Sequence, residues 1–477
     1  MLIAAALTAA VCGCASRARQ VNEGDLESAI QAASETPSAN SWQLSNGLLV
    51  YYMKDAELPL VSGLLLMKGG KLWDEQGAVV AALGDQMRQG GAGEFGAEKL
   101  DQELDRLSAA ISSGFGQEAG RVSFSCLKQD LHKVFPRFAD VIQRPRFEAD
   151  RLELWKIQAL DGIRRRIDDP DTVAGSAFGQ LIYGDRGYGR VPVSSDVVKI
   201  SRLELLKAHR HLVRPNQAVL ALSGDIEQEE VRALIERYLG GWERRASDLE
   251  APFTEFRSAP PGIYFIEQEL AQATIIAGSQ GVVWRTPDFA AIDAFNNIFG
   301  SGSFGSRLMQ TVRTKLGLAY GVYGVIAPNM YRGKNIIGFQ TKAASAGEAL
   351  YAGLSELNKM QTEAPSNYEL IETKQALLNS YIFGVDHPSQ IVERAAQYKL
   401  LGFPDSHDQE YLNKVRDLTP EEIKQVAASR WDITQLIIVV VGNEEAYQSL
   451  SQVIQQEGSP LKGMSIRKAR FTEKLEL

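Results

Sequence analysis

The chain is sparing with residue types that do chemistry: its 477 residues include five histidines and three cysteines. Only His209 and His211 lie close together. At i and i+2 on a helix two imidazoles point to different faces, so a shared metal ion is not expected and surface or packing roles are. The lone His132, His387 and His407 suggest no site. Cys126 follows Val122 and Phe124 at strand spacing, the pattern of a buried structural thiol rather than a nucleophile. Gly300-Ser301-Gly302-Ser303-Phe304-Gly305 spells G-x-G-x-x-G, but it follows a helical stretch over 289–299 that is capped near Pro287-Asp288. A dinucleotide fingerprint must follow a strand and open a parallel β-α-β unit. The run is therefore read as a turn leading into a helix over 306–315.

One cysteine has a different chemistry. Residues 1–11 are apolar and small, and Val11-Cys12-Gly13-Cys14-Ala15-Ser16 follows. A run this short cannot cross a bilayer, which takes about 20 helical residues. It has the character of a signal-peptide h-region ending in a lipobox, with Cys14 as the acylated residue. A signal cut elsewhere, or a buried N-terminal helix, is the competing reading, and no Lys or Arg precedes the apolar run. The expectation is a periplasmic lipoprotein anchored to a membrane, the outer one by the absence of Asp after the cysteine. Loss of Cys12 and acylation of Cys14 would leave Cys126 without a disulfide partner.

The elements that must carry any site are those of a large globular chain. A length of 477 residues exceeds the roughly 250 to 300 at which one core stops growing, so two domains are expected. The chain is 44% hydrophobic and 23% charged with a net charge of −8 and no long basic run, which argues against nucleic acid as a partner. The two halves repeat each other. Residues 201–225 and 419–443 share an N-cap residue, an amphipathic helix, a short link and a buried strand, with Ser201 to Gly224 and Thr419 to Gly442 both spanning 23 positions. The openings at Asn46-Gly47 and Pro261-Gly262 lie 215 positions apart. Such a period means a duplicated domain. Strands alternate with amphipathic helices, for example where Leu100, Leu104, Leu107 and Ile111 fall at helical spacing. The fold class expected is α+β, two homologous domains that each set helices on one face of a mixed, mainly antiparallel sheet. The organisation reads as a signal peptide over 1–14, a flexible tether over 15–40, a first domain over 41–245, a linker over 246–261, a second domain over 262–450 and a tail over 451–477.

Several runs carry a resemblance to a known family: Asn46-Gly47-Leu48, Ile163 to Pro170, Tyr183-Gly184-Asp185 to Gly189, Arg214-Pro215-Asn216, Ser223-Gly224-Asp225, and above all Ser306-Arg307-Leu308 to Arg313 with Gly317-Leu318-Ala319-Tyr320. Over nearly the whole chain the arrangement resembles the half-length subunits of the insulinase/pitrilysin-like zinc peptidases, the processing-peptidase type included. The resemblance implies a clamshell half. Active relatives hold zinc with an inverted H-x-x-E-H on one helix, its Glu the general base, and an acidic ligand from a later helix. Alignment on Gly90 places those positions at Ala81, Gly84 and Asp85, and the Ile163-Arg164 landmark places the last at Gly162. No His precedes His132, so a slip in register restores nothing. Three protein ligands are needed for a catalytic zinc, and one carboxylate is offered.

The same resemblance gives Arg313 and Tyr320 a role in the peptide chamber, hydrogen-bonding the backbone of bound peptide; a guanidinium and a phenol suit gripping carbonyl oxygens without reading side chains. The plain alternative is a surface ion pair for Arg313 and a core position for Tyr320. The expectation is a noncatalytic subunit with no catalytic residue or cofactor of its own, working with a homologous H-x-x-E-H-containing partner that carries the zinc. A peptide-binding or scaffolding protein with no role in hydrolysis is the alternative, and an enzyme with atypical ligands a further one.

Overall fold

The computed structural model describes residues 30–31, 37–74, 77–245, 249–301 and 304–477. Residues 1–14, with Cys14, lie outside them. In the first half the strands are β1 (Asn40–Gln43), β2 (Leu49–Lys54), β3 (Leu60–Lys68), β4 (Ala110–Phe115), β5 (Ala119–Leu127) and β6 (Ala218–Gly224), ordered β1-β2-β6-β3-β5-β4 in one sheet. In the second they are β7 (Gly262–Glu267), β8 (Gln272–Gln280), β9 (Ala319–Ala327), β10 (Lys334–Lys342), β11 (Ile437–Gly442), β12 (Ile466–Phe471) and β13 (Leu475–Glu476), ordered β13-β12-β7-β11-β8-β10-β9. Both sheets are mixed and mainly antiparallel, as expected of an α+β chain. The duplication shows in the pairing: β6 runs parallel to β2 and antiparallel to β3, and β11 runs parallel to β7 and antiparallel to β8. These two strands are buried along their whole length, which is why their sequences are mainly apolar runs, broken in β6 by Ser223 alone, rather than alternating ones.

Each sheet carries its own helices on one face, and the opposite face is covered by a helix from the other half of the sequence. Helix Pro170–Tyr183 lies on the second sheet, where Val173, Ala177, Phe178 and Leu181 join one buried cluster with Tyr264, Ile336 and Val439. In return helix Pro388–Leu401 lies on the first sheet, with Val392 and Ala396 against Leu64, Val219 and Ala221. Both helices open with proline in the first turn, where its missing N–H is harmless, and the two prolines stand 218 positions apart. The duplicated halves therefore exchange one helix each. Neither sheet is closed without the other half.

One expectation is corrected. Leu100 and Leu104 lie on helix Ala97–Arg106, but the chain leaves it through Ser108 at φ 48°, so Ile111 is buried from strand β4 instead. Within the stretch read as a tail, β12 pairs in parallel with β7 and extends the second sheet. Within the stretch read as a tether, Ile30 is buried in a cluster with Ala290, Leu378, Tyr381, Leu412 and Val415. No helix among the described residues is long and apolar enough to cross a membrane.

Candidate functional site

Helix Val79–Gln89 carries the three positions aligned with the metal motif, and it packs against β4 and against helix Ala149–Arg165, which carries the fourth. Ala81 is half-buried, and Asp85 beside it accepts a hydrogen bond from the Trp155 indole at 2.7 Å. That indole comes from the same helix as Gly162, so the one carboxylate is committed to joining the two helices. Gly84 is where the helix touches the sheet. A Cβ on it would stand 2.6 Å from the Phe115 amide nitrogen and 3.0 Å from Gly114 Cα, and its carbonyl accepts from Ser113 Oγ at 2.5 Å. Gly162 has open space around it. Among the described residues no three His, Cys, Asp or Glu side chains group in a way that could hold a metal ion. The residues present at these positions do not fit a zinc ion.

The Gly84 contact predicts the sign of a mutation. In an open helix Gly→Ala gains about 1 kcal/mol from propensity. Here a methyl group would press on backbone, and overpacking of that kind costs about 1–3 kcal/mol. Gly84→Ala should therefore lower the urea midpoint; a raised midpoint would show that the helix has room to move off β4.

The second pair is brought together. Helix Phe289–Asn296 runs on into a π-helical turn over Asn297–Ser301, so Gly300 belongs to a helix end and not to a strand-to-helix phosphate loop. The segment Met309–Lys315, expected as an ordinary helix, is also π-helical. Such widened turns concentrate at functional sites. It presents Arg313 beside the first residues of β9, and the pairing of β9 with β10 shifts register between Phe339 and Thr341, next to Tyr320. A bulge of this kind re-aims a side chain. The guanidinium carbon of Arg313 stands 5.0 Å from the centre of the Tyr320 ring and 4.7 Å from that of Phe304. Tyr320 is 87% exposed and Phe304 65% exposed. Tyr320 is thus not a core residue, and Arg313 makes no ion pair with any described residue. A cation held over ring faces in this way keeps N–H donors that the rings do not use. Phe304 was missed from the sequence because a lone aromatic in a Gly/Ser run gives no signal of which cation it meets.

The remaining candidates are structural. His209 is hydrogen-bonded to the Ile142 carbonyl at 2.8 Å, and burial lowers its pKa. His211 faces Arg214, while His132 meets Glu230 at the surface. Cys126 is buried, and desolvation pushes its thiol up to about 12. Several landmark residues prove to be joints of the frame. Asn46 Nδ2 donates to the Leu239 and Trp242 carbonyls at 2.8 and 3.1 Å. Gly47, at φ +93°, lets Asn216 approach so closely that a Cβ would meet it at 2.9 Å. Tyr183 reaches across to the Gly333 carbonyl at 2.7 Å.

Comparison with known proteins agrees with this frame. Residues 199–377 match the model of the peptidase M16 inactive domain. The chain is 23% identical over 402 residues to the non-peptidase homolog YmxG of Helicobacter pylori, covering 83% of this chain and 92% of that protein. Both matches make the chain similar to the insulinase/pitrilysin-like M16 family. The matched domain is described as inactive and that relative as a non-peptidase, in keeping with a chain that is not catalytically active by itself. Two solved structures share the fold: the M16 inactive domain from Pseudomonas fluorescens, with a TM-score of 0.77 at 24% identity over 85% of this chain and 98% of that one, and a protease from Helicobacter pylori, with a TM-score of 0.76 at 17% identity over 85% and 99%. The two-sheet arrangement is therefore that of an M16 clamshell half.

Proposed function

We propose that this M16 homologue is the noncatalytic subunit of an extracytoplasmic, heteromeric zinc peptidase, held at a membrane through Cys14, and that it lends peptide-backbone binding to a partner's active site. The partner is a homologous chain with an intact H-x-x-E-H, and the zinc resides there. The observation that carries the reading is the contact between Arg313 and Tyr320. Two polar groups seven positions apart are held together at an exposed bulge with no internal task among the described residues. In-plane guanidinium donors and a phenol suit carbonyl oxygens, including one that gains charge as an amide is attacked. The degenerate positions 81, 84, 85 and 162 fit a division of labour in which this chain supplies grip and the partner supplies metal and base.

The test is reconstitution. The mature chain alone should hold no stoichiometric zinc and cleave no peptide, whereas mixing with the partner should give hydrolysis. A hydrogen bond to a charged group is worth about 1.5–3 kcal/mol, so Arg313→Ala in the mixture should lower kcat/KM about tenfold to a hundredfold. Turnover unchanged by Arg313→Ala would remove the role assigned to this side chain. Stable capture of peptide with no hydrolysis in any mixture would favour a binding or scaffolding role instead.

A further inference from the structure

A cavity of about 540 Å³ lies in the second half, remote in sequence from the positions aligned with the metal motif. It opens between helices Phe289–Asn296, Asn367–Phe383, Pro388–Leu401 and His407–Asp417. Helix Phe289–Asn296 packs on helix Asn367–Phe383 as helix Val79–Gln89 packs on helix Ala149–Arg165, so the cavity opens beside the second copy's counterpart of that helix pair. Its volume falls in the range of small-molecule sites, about 300–1,000 Å³, and is too small for a folded segment.

Aromatic rings make much of the wall. Phe289 and Tyr411 stack at 5.9 Å, and Phe403 stacks on His407 at 4.1 Å. Among them, half-buried at the cavity wall, stands one carboxylate, Asp293. Tyr411 hydrogen-bonds it, and no cation among the described residues comes within ion-pair distance. The nearby cations are engaged elsewhere. Arg394 pairs with Asp408 at 2.9 Å and stacks on Tyr381, and Lys414 donates to the Pro287 carbonyl at 2.6 Å while lying over Phe289. Desolvation holds His407 toward its neutral form. For the same reason Asp293 is pushed up to about 6, as befits a carboxylate whose surroundings do not neutralise it. A group that the fold leaves uncompensated in a cavity marks a binding site.

We infer that this cavity binds a small organic amine, its ammonium on Asp293 and its apolar body between the aromatic walls. Carboxylate and ring faces together recognise a cation with a hydrophobic attachment, a combination that neither a metal ion nor an anion satisfies. The inference does not depend on a peptidase partner.

Titration of the full chain by calorimetry with 2-phenylethylamine, 2-phenylethanol and phenylacetate tests it. The amine should bind, the alcohol at least tenfold more weakly, and the carboxylate not measurably. Asp293→Asn keeps the shape and an acceptor for Tyr411, and it should weaken the amine at least tenfold while far-UV circular dichroism stays unchanged. Phe403→Ala should weaken both amine and alcohol. Failure of the amine to bind, binding of phenylacetate as tight as the amine, or an Asp293→Asn protein that holds the amine as well as the parent would each overturn the assignment.

Discussion

Phe178→Ala should destabilise both halves of the molecule together, by about 3–5 kcal/mol, the usual loss for a fully buried aromatic cut back to a methyl. Phe178 belongs by sequence to the first half, yet its ring lies on the second sheet so closely that a Cβ on Gly278 would meet it at 2.9 Å. Its cluster includes Tyr264, Ile336, Val439 and Val441. Because helix Pro388–Leu401 closes the first sheet in the same way, loosening one exchanged helix weakens the seat of the other. Urea unfolding followed both by tryptophan fluorescence and by far-UV circular dichroism should give one transition, shifted as a whole. Two separated transitions, with only one moved by the mutation, would show that the halves fold independently and that the exchange is not cooperative.

Asp293→Asn should act in the opposite direction and stabilise the chain at neutral pH. The carboxyl pKa is raised from 3.8 to about 6, so the fold disfavours the charged form. For a raised acid the stability is present below the unfolded-state pKa and is lost as pH rises through the folded one. The loss therefore accrues between about pH 4 and pH 6 and reaches about 3 kcal/mol above it, since each tenfold change in proton affinity between the folded and unfolded chain is worth about 1.4 kcal/mol. Asparagine removes that pH-dependent penalty. Chemical denaturation at pH 7.5 should show the variant more stable than the parent by up to about 3 kcal/mol, with the gap closing toward pH 4.5. An equal loss of stability at both pH values would mean that the carboxylate has a compensating cation. Higher stability with weaker amine binding in the same variant is the pattern of a site kept at the expense of the fold.

Much of the frame was legible because it rests on local rules. The runs 218–222 and 437–442 are apolar without interruption since both faces of those strands are covered, and that pattern needs no knowledge of what covers them. Ser201 and Thr419 each close a capping box with a Glu three positions on, a relation contained within four residues. Period arguments failed where one hydrophobic pattern served two elements. Leu100 and Leu104 reach the core from a helix, and Ile111 reaches it from a strand after a left-handed residue. Residues 466–471 carry too many charges to announce a strand, and they become one because the edge of β7 is open beside them.

From its sequence alone this protein could be known as a duplicated α+β chain with no histidines where a zinc helix would need them, and with Arg313 and Tyr320 as residues to watch. The duplication is a matter of residue type and spacing, which a linear text records in full, while the zinc-helix positions and the interest of Arg313 and Tyr320 are what the family resemblance implied. Only the tertiary structure decided that each half closes the other's sheet, that Gly84 seats its helix directly on backbone, that Arg313 lies over Phe304, and that Asp293 faces a cavity with no described cation within ion-pair distance. Each of these depends on groups far apart in the chain meeting across packed elements. A helical period specifies which face is buried and leaves open what lies against it.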